Sequence, residues 1–249
     1  MPLHEDYRER LYRDYSRTHG AAAPDATAAD PDPRVLESHF GRFLPEDRGA
    51  RILELGCGAG AFLRFLRARG HRAIEGVERD EGSLAAARAR GTVEAVRGDA
   101  VEALRARPGS CACVVAVDFL EHFRKDELFP LLDLVAAALV PGPDSAFVGR
   151  VPNADGVAWG RVRYGDLTHE LAFTANSLRQ ALRAAGFDAI EVRAEEPVVT
   201  GARSLLRWLL WKPLRAALRL YLFAESYAHE GALLTPNLIF RARRTGTRA

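Results

Sequence analysis

The chain has 249 residues, 48% of them hydrophobic and 27% charged, ordinary globular usage that excludes wholesale disorder and low-complexity chains. Lys plus Arg is 35 against 33 for Asp plus Glu, a net charge of +2, so no overall basic field asks for a nucleic-acid partner. No apolar run approaches the roughly 20 residues of a membrane span, and the first ten residues mix both charge signs without the apolar stretch of a secretory leader. Cys57, Cys111 and Cys113 offer neither a disulfide framework nor zinc spacing, so a cytoplasmic protein with reduced thiols is expected.

Residues 1–20 read as a helix with Tyr7, Leu11, Tyr12 and Tyr15 at helical spacing, and 21–33, rich in Ala, Pro and Asp, as a linker. A tyrosine-bearing amphipathic segment ahead of a linker suits a closing lid. From 34 to 194 short apolar runs alternate with helical patterns. Strands are predicted at 51–56, 72–78, 92–98, 111–118, 144–151 and 189–194, with helices between them, including 125–139 and 175–185. A last strand at 237–244 follows a helical insertion at 195–235, and 236–249 forms the last strand and tail. This alternation predicts an α/β fold, a doubly wound, mostly parallel seven-stranded sheet with helices on both faces. The connection over 153–174 is of the length that often carries function.

Residues 52–60, ILELGCGAG, put an apolar strand directly before Gly56, Gly58 and Gly60, and a helical pattern begins at once. Glycines at such a turn allow positive φ and let a ligand approach the backbone. With Ala61 the same letters satisfy the GxGxxA pattern of NAD-binding proteins, so the glycines alone leave two cofactors open. Glu54 separates them: it would repel an anionic pyrophosphate and attract the ammonium and sulfonium of S-adenosylmethionine. Glu78 ends the second strand about 20 residues on, where an acid accepts from ribose hydroxyls under either reading. Asp99 follows the third strand as an adenine acceptor or a helix N-cap before Val101. Asp118 closes the fourth, so four successive strand ends carry an acid on the ligand-binding edge.

ELGCGAG, the acid in GVERD, GDA and VDFLEH, in this order and spacing, resemble class I S-adenosylmethionine-dependent methyltransferases over roughly 35–193. The resemblance implies that Gly56, Cys57, Gly58 and Gly60 hold the methionine and ribose portion, with Glu54 and Asp118 completing the site. Glu78, with Arg79 beside it, would bind the ribose, and Asp99 with the amide of Ala100 would read the adenine. S-adenosyl-L-homocysteine would be the product, and the family's final antiparallel strand would be 237–244.

A hydroxyl acceptor needs its proton removed, whereas an amine needs less help. Of seven histidines, only His122, past the fourth strand, and His169, in the 153–174 connection, belong to the ligand-binding edge. The stretch RYGDLTHELAFTANSL resembles the loop of methyltransferases that include ubiquinone-pathway O-methyltransferases and enzymes found among surface-polysaccharide genes, where a Thr-His pair precedes the helix over the acceptor pocket. It implies His169 as general base with Asp166 as orienting or substrate-binding partner, and His122 as the second candidate. The alternative makes Asp166 a turn residue and His169 a structural donor. Asp118, Glu121 and His122, as D-x-x-E-H, also resemble a segment that holds a divalent cation in some ubiquinone-pathway enzymes. Mg²⁺ is therefore conceivable, but the same residues occur in metal-free relatives and no metal is assigned.

The expected function is S-adenosylmethionine-dependent O-methylation of a sugar, glycan or small natural product. N-methylation of an amino sugar or other amine, a nicotinamide-dependent oxidoreductase and a non-catalytic cofactor-binding protein are the alternatives. Within the insertion, Arg203, Arg207, Lys212, Arg215 and Arg219 recur among leucines, Trp208 and Trp211. Such a basic amphipathic helix over 203–222 fits a peripheral membrane contact or a lipid-linked substrate, or else packing over the pocket or in a homodimer interface. Pro213 is expected to kink or divide it.

Overall fold

The computed structural model describes residues 7–12, 30–226 and 233–244. Its centre is one seven-stranded sheet made of β1 (Ile52–Leu55), β2 (Ile74–Glu78), β3 (Ala95–Arg97), β4 (Cys113–Val117), β5 (Ala146–Pro152), β6 (Ala189–Ala194) and β7 (Asn237–Arg243). The order is β3-β2-β1-β4-β5-β7-β6. β7 is antiparallel to both β5 and β6, and the remaining pairs are parallel. The sheet is the expected one, including its antiparallel last strand. The order reverses between β1 and β4, and the crevice beyond the carboxyl ends of those strands is where such sheets take ligands.

Alternation along the central strands divides the core. Leu53, Leu55, Val114 and Ala116 pack on one face with α5 (Ala100–Arg105), α6 (Lys125–Ala138) and α8 (Ala175–Ala184). Ile52, Cys113 and Val115 pack on the other with α2 (Pro33–Phe40) and α3 (Ala61–Ala68). Glu54 is the polar break in an otherwise apolar β1, buried at 3% exposure. α4 (Glu81–Ala89) connects β2 to β3. α1 (Tyr7–Tyr12), α7 (Trp159–Gly165) and α9 (Ala202–Ser226) complete the α-helices of the described residues.

The structure departs from the sequence reading in four places. α2 is an additional helix, started by Asp32, whose side chain accepts from the Arg34 amide, with Pro33 in the first turn. β3 is shorter than expected, Ala95–Arg97, and Thr92 ahead of it backs the glycine loop, its side chain filling the space a Cβ on Gly60 would need. The 153–174 connection contains α7. Pro213 does not divide the insertion helix, which runs unbroken through it; proline removes only one donor, and its exposed ring points away from the protein. Of the expected helix over 1–20, the described residues are Tyr7–Tyr12, and they are helical; the rest, Tyr15 included, lies outside the described residues.

Candidate active site

The glycine turn is held by backbone. Gly56 and Cys57 donate to the carbonyl of Val77 at 2.9 and 3.1 Å, and Gly60 donates to Cys57 at 2.8 Å. Gly56 has φ +66°, and a Cβ there would meet the Phe119 ring at 2.5 Å. Gly58, at φ +51°, faces open space, so the turn leaves room against the backbone where a ligand would lie. Glu78 fixes that opening from the side: its Oε2 accepts from Gly58 N and its Oε1 from Asp80 N, both at 2.8 Å. Burial raises the Glu78 carboxyl, against the amides that lower it.

Glu54 sits behind this turn with Oε2 buried and lacking a hydrogen-bond partner. Burial first, and the Glu78 charge second, push its carboxyl well above the ordinary range. An orphaned buried carboxylate beside an open glycine turn fits a ligand that brings a positive charge. Burial, followed by Glu54 and Glu78, also pushes the Cys57 thiol upward; Cys57 packs under Gly76, whose Cβ would meet it at 2.7 Å.

Two other expected cofactor residues have protein partners. Asp99 caps α5, its Oδ1 accepting from Val101 N at 2.8 Å and Glu102 N at 3.2 Å, while Ala100 opens the helix. Asp118, at φ +51°, turns its carboxylate to Arg150, whose Nε donates at 2.8 Å. The same guanidinium donates to Glu195 at 2.9 Å. The structure thus brings Glu54, Glu78 and the glycines together and directs Asp118 toward β5.

The other end of the crevice is assembled from distant segments. The 3-10 turn Leu120–His122 follows β4, and the carbonyl of Glu121 accepts from Glu170 N at 2.7 Å and Leu171 N at 2.9 Å. That pins the 166–171 loop against the turn and sets the rings of His122 and His169 edge to face at 4.9 Å. Asp166 Oδ1 accepts from the Thr168 hydroxyl at 2.6 Å and the Thr168 amide at 2.8 Å. Thr168 Oγ1 lies 3.0 Å from His122 Nδ1. The hydroxyl has one proton and gives it to Asp166, so His122 Nδ1 donates and its Nε2 keeps a lone pair. His169 Nδ1 donates to the Val162 carbonyl at 2.9 Å, and its Nε2 lies 3.8 Å from Asp166 Oδ2. Burial, with the His169 charge second, lowers His122 to about 4.

α1 lies over this end. Arg8 donates to Glu127 at 2.5 Å and to the His122 carbonyl at 3.0 Å, and Tyr7 donates to Glu170. The Tyr12 ring is 6.4 Å from that of His122. Burial pushes its phenol up to about 12, and Asp166 and Arg79 are both close enough to act on it. Thr168 belongs to the Thr-His pair of the acceptor-loop resemblance, but its bond to His122 is seen only in three dimensions, and nothing in the local sequence marks Arg8.

The D-x-x-E-H set does not form a hard-cation site, because Asp118 is taken by Arg150. Single ligand atoms of Glu121, His122 and His169 lie within 4.8 Å of one another instead, a nitrogen-rich set that does not suit Mg²⁺. Burial first and Asp118 second push the Glu121 carboxyl well above its usual range.

A family profile described as a methyltransferase domain matches residues 28–192. The chain belongs to this family. Three solved structures are similar in fold to this methyltransferase. One is an S-adenosylmethionine-dependent methyltransferase from Archaeoglobus fulgidus, 21% identical with TM-score 0.62, covering 96% of this chain and 100% of that one. Another is phosphoethanolamine N-methyltransferase 2 of Haemonchus contortus, in complex with phosphomonomethylethanolamine and S-adenosylhomocysteine, 18% identical with TM-score 0.67. The alignment covers 99% of the methyltransferase and 62% of that chain. The third is an S-adenosylmethionine-dependent methyltransferase from Mesorhizobium loti, 22% identical with TM-score 0.57, covering 88% and 100%. No curated protein sequence gives a significant match.

Proposed function

We propose that this methyltransferase takes its methyl group from S-adenosylmethionine and delivers it to a hydroxyl oxygen of a small molecule, with sugars and natural products as the substrate class. The observation that carries the reading is the imidazole pair at the acceptor end, where His169 Nδ1 donates to the Val162 carbonyl and so leaves the lone pair on Nε2, beside a His122 that burial keeps neutral. S-adenosylmethionine supplies an activated methyl on a sulfonium, so the protein's contribution is positioning and proton removal.

Glu54 and the glycine turn answer the cationic end of the cofactor, and Glu78 the ribose. At the acceptor end, His169 Nε2 takes the hydroxyl proton. The Asp166 carboxylate, 3.8 Å away, stabilises the resulting imidazolium. His122, held by Thr168 and kept neutral by burial, orients the acceptor beside it. α1 closes over the crevice through Arg8, Tyr7 and Tyr12 and keeps water out. The resemblance of RYGDLTHELAFTANSL to the acceptor loop of ubiquinone-pathway and polysaccharide-cluster enzymes supports the same assignment.

The test is methyl transfer from labelled S-adenosylmethionine to a panel of sugars, phenols and amines. A hydroxyl acceptor is expected, with His169→Ala lowering turnover by about 10² to 10⁴ at unchanged cofactor affinity. Efficient methylation of an amine, undiminished in His169→Ala, would overturn the reading.

A further inference from the structure

Among the described residues, α9 is the least covered helix. Along its 25 residues, Ser204, Trp208, Trp211, Arg215, Leu218 and Leu222 are half-buried, a recurrence every three or four positions that defines the face turned to the protein. Arg215 pairs there with Glu196. On the opposite arc Leu206, Leu209, Leu210, Leu214, Leu220 and Phe223 are between 47% and 67% exposed. At 3.6 residues per turn, Arg207 falls on one border of this arc and Lys212 and Arg219 on the other. All three are exposed.

We propose that this face of α9 seats the protein on an anionic lipid bilayer, lying flat at the headgroup level with its leucines and Phe223 in the acyl boundary. A helix of this length is about 37 Å long, and none in the described residues is long and apolar enough to cross a membrane. The charge arrangement selects the occupant. A second copy of α9 would bring Arg207, Lys212 and Arg219 against the same cations, with Glu225 the only acid of the helix to answer them. An anionic surface satisfies the apolar arc and both cationic borders at once, the stems of the basic residues lying along the interface with their charges at the phosphates. The helix is rooted at the ligand edge of the sheet, where Glu195, the residue after β6, pairs with the guanidinium that holds Asp118.

The experiment is flotation of the full chain with vesicles of phosphatidylcholine, with and without phosphatidylglycerol. Binding to the anionic vesicles should exceed that to pure phosphatidylcholine by about tenfold or more and fall steeply as salt is raised toward about 1 M. Leu209→Glu with Leu210→Glu should abolish it. Arg207→Gln, Lys212→Gln and Arg219→Gln together, which keep the leucines and Phe223 of the arc and cost only the Lys212 contact with the Trp208 ring, should abolish the preference for anionic lipid even if the leucine variant fails to fold. Circular dichroism and S-adenosylhomocysteine binding, measured without vesicles, report on fold and cofactor site independently. Failure to float with either vesicle, or equal binding to both, overturns the proposal. So does a stable dimer in solution that Leu209→Glu dissociates while vesicles capture nothing.

Discussion

The β1–β2 end of the crevice and the β4–β5 end hold their functional groups by different means. At the first, main-chain bonds within Leu55–Gly60 and from Val77 set the turn, and one side chain, Glu78, closes it with two amides at 2.8 Å. At the second, each imidazole depends on partners 7 or 46 residues away in sequence, clamped by the Glu121 carbonyl and covered by α1. The first is therefore a rigid receptacle with little to adjust. The second can be retuned by single substitutions in several segments, as expected where relatives with one cofactor accept different substrates.

The sharpest way to separate the two ends is Glu78→Ala. It leaves the Gly58 and Asp80 amides unsatisfied and removes the proposed ribose acceptor, so S-adenosylhomocysteine binding by calorimetry should weaken by about 1 to 3 kcal/mol, roughly 5- to 150-fold, and an unchanged affinity would remove Glu78 from the cofactor site. Thr168→Val is the converse. It deletes the hydroxyl that orders His122 and should lower turnover about tenfold, the value of one hydrogen bond, with cofactor affinity intact. A loss of affinity instead would break the division between the ends.

Acidity distinguishes the ends more gently. Glu54 and Glu121 are raised above 4.5 in the folded state, so the stability they contribute is full below that value and is lost as pH rises through their folded pKa. His122, lowered from 6.5 to about 4, contributes stability above 6.5 that is lost as pH falls through about 4. The melting temperature of cofactor-free protein should therefore fall on the alkaline side, less so in Glu54→Gln, and on the acid side, less so in His122→Gln. Parallel profiles for all three proteins would contradict these environments. The smallest effect expected is Arg8→Ala. An ion pair of this partial exposure is worth under about 1 kcal/mol, so melting should barely move while turnover drops severalfold; undiminished turnover would make α1 a passive cover.

The same division governs what could be read from the sequence. ILELGCGAG and the acid of GVERD carry their meaning locally, since a glycine turn and the strand-end acid beside it are specified within about 30 residues. Asp118 belongs to the same series of strand-end acids, yet its carboxylate answers Arg150, 32 residues on, which no local pattern marks. Asp99 was legible in both of its readings, and the cap is the one its Oδ1 makes. α2 was missed although Asp32-Pro33 is a helix-start signal, because the surrounding Ala, Pro and Asp dominate the composition. His122 and His169 stood out as residues, but the Thr168 hydroxyl between Asp166 and His122 becomes visible only once the loop is folded against β4.

The ends of the chain excursion that carries α9 meet across a narrow neck. Glu195 N donates to the Asn237 carbonyl at 3.2 Å, and the Asn237 amide returns to Glu195 at 2.6 Å. The buried Asn153 side chain donates to the Thr235 carbonyl at 2.7 Å. Everything between is topologically a closed loop on the sheet, and the entropy of closing such a loop changes only slowly with its length. The excursion can thus be shortened, lengthened or exchanged without shifting the register of β5, β6 and β7. That makes it a module in the evolutionary sense: a part through which one catalytic sheet can be reassigned to a new place of work while its chemistry is inherited unchanged.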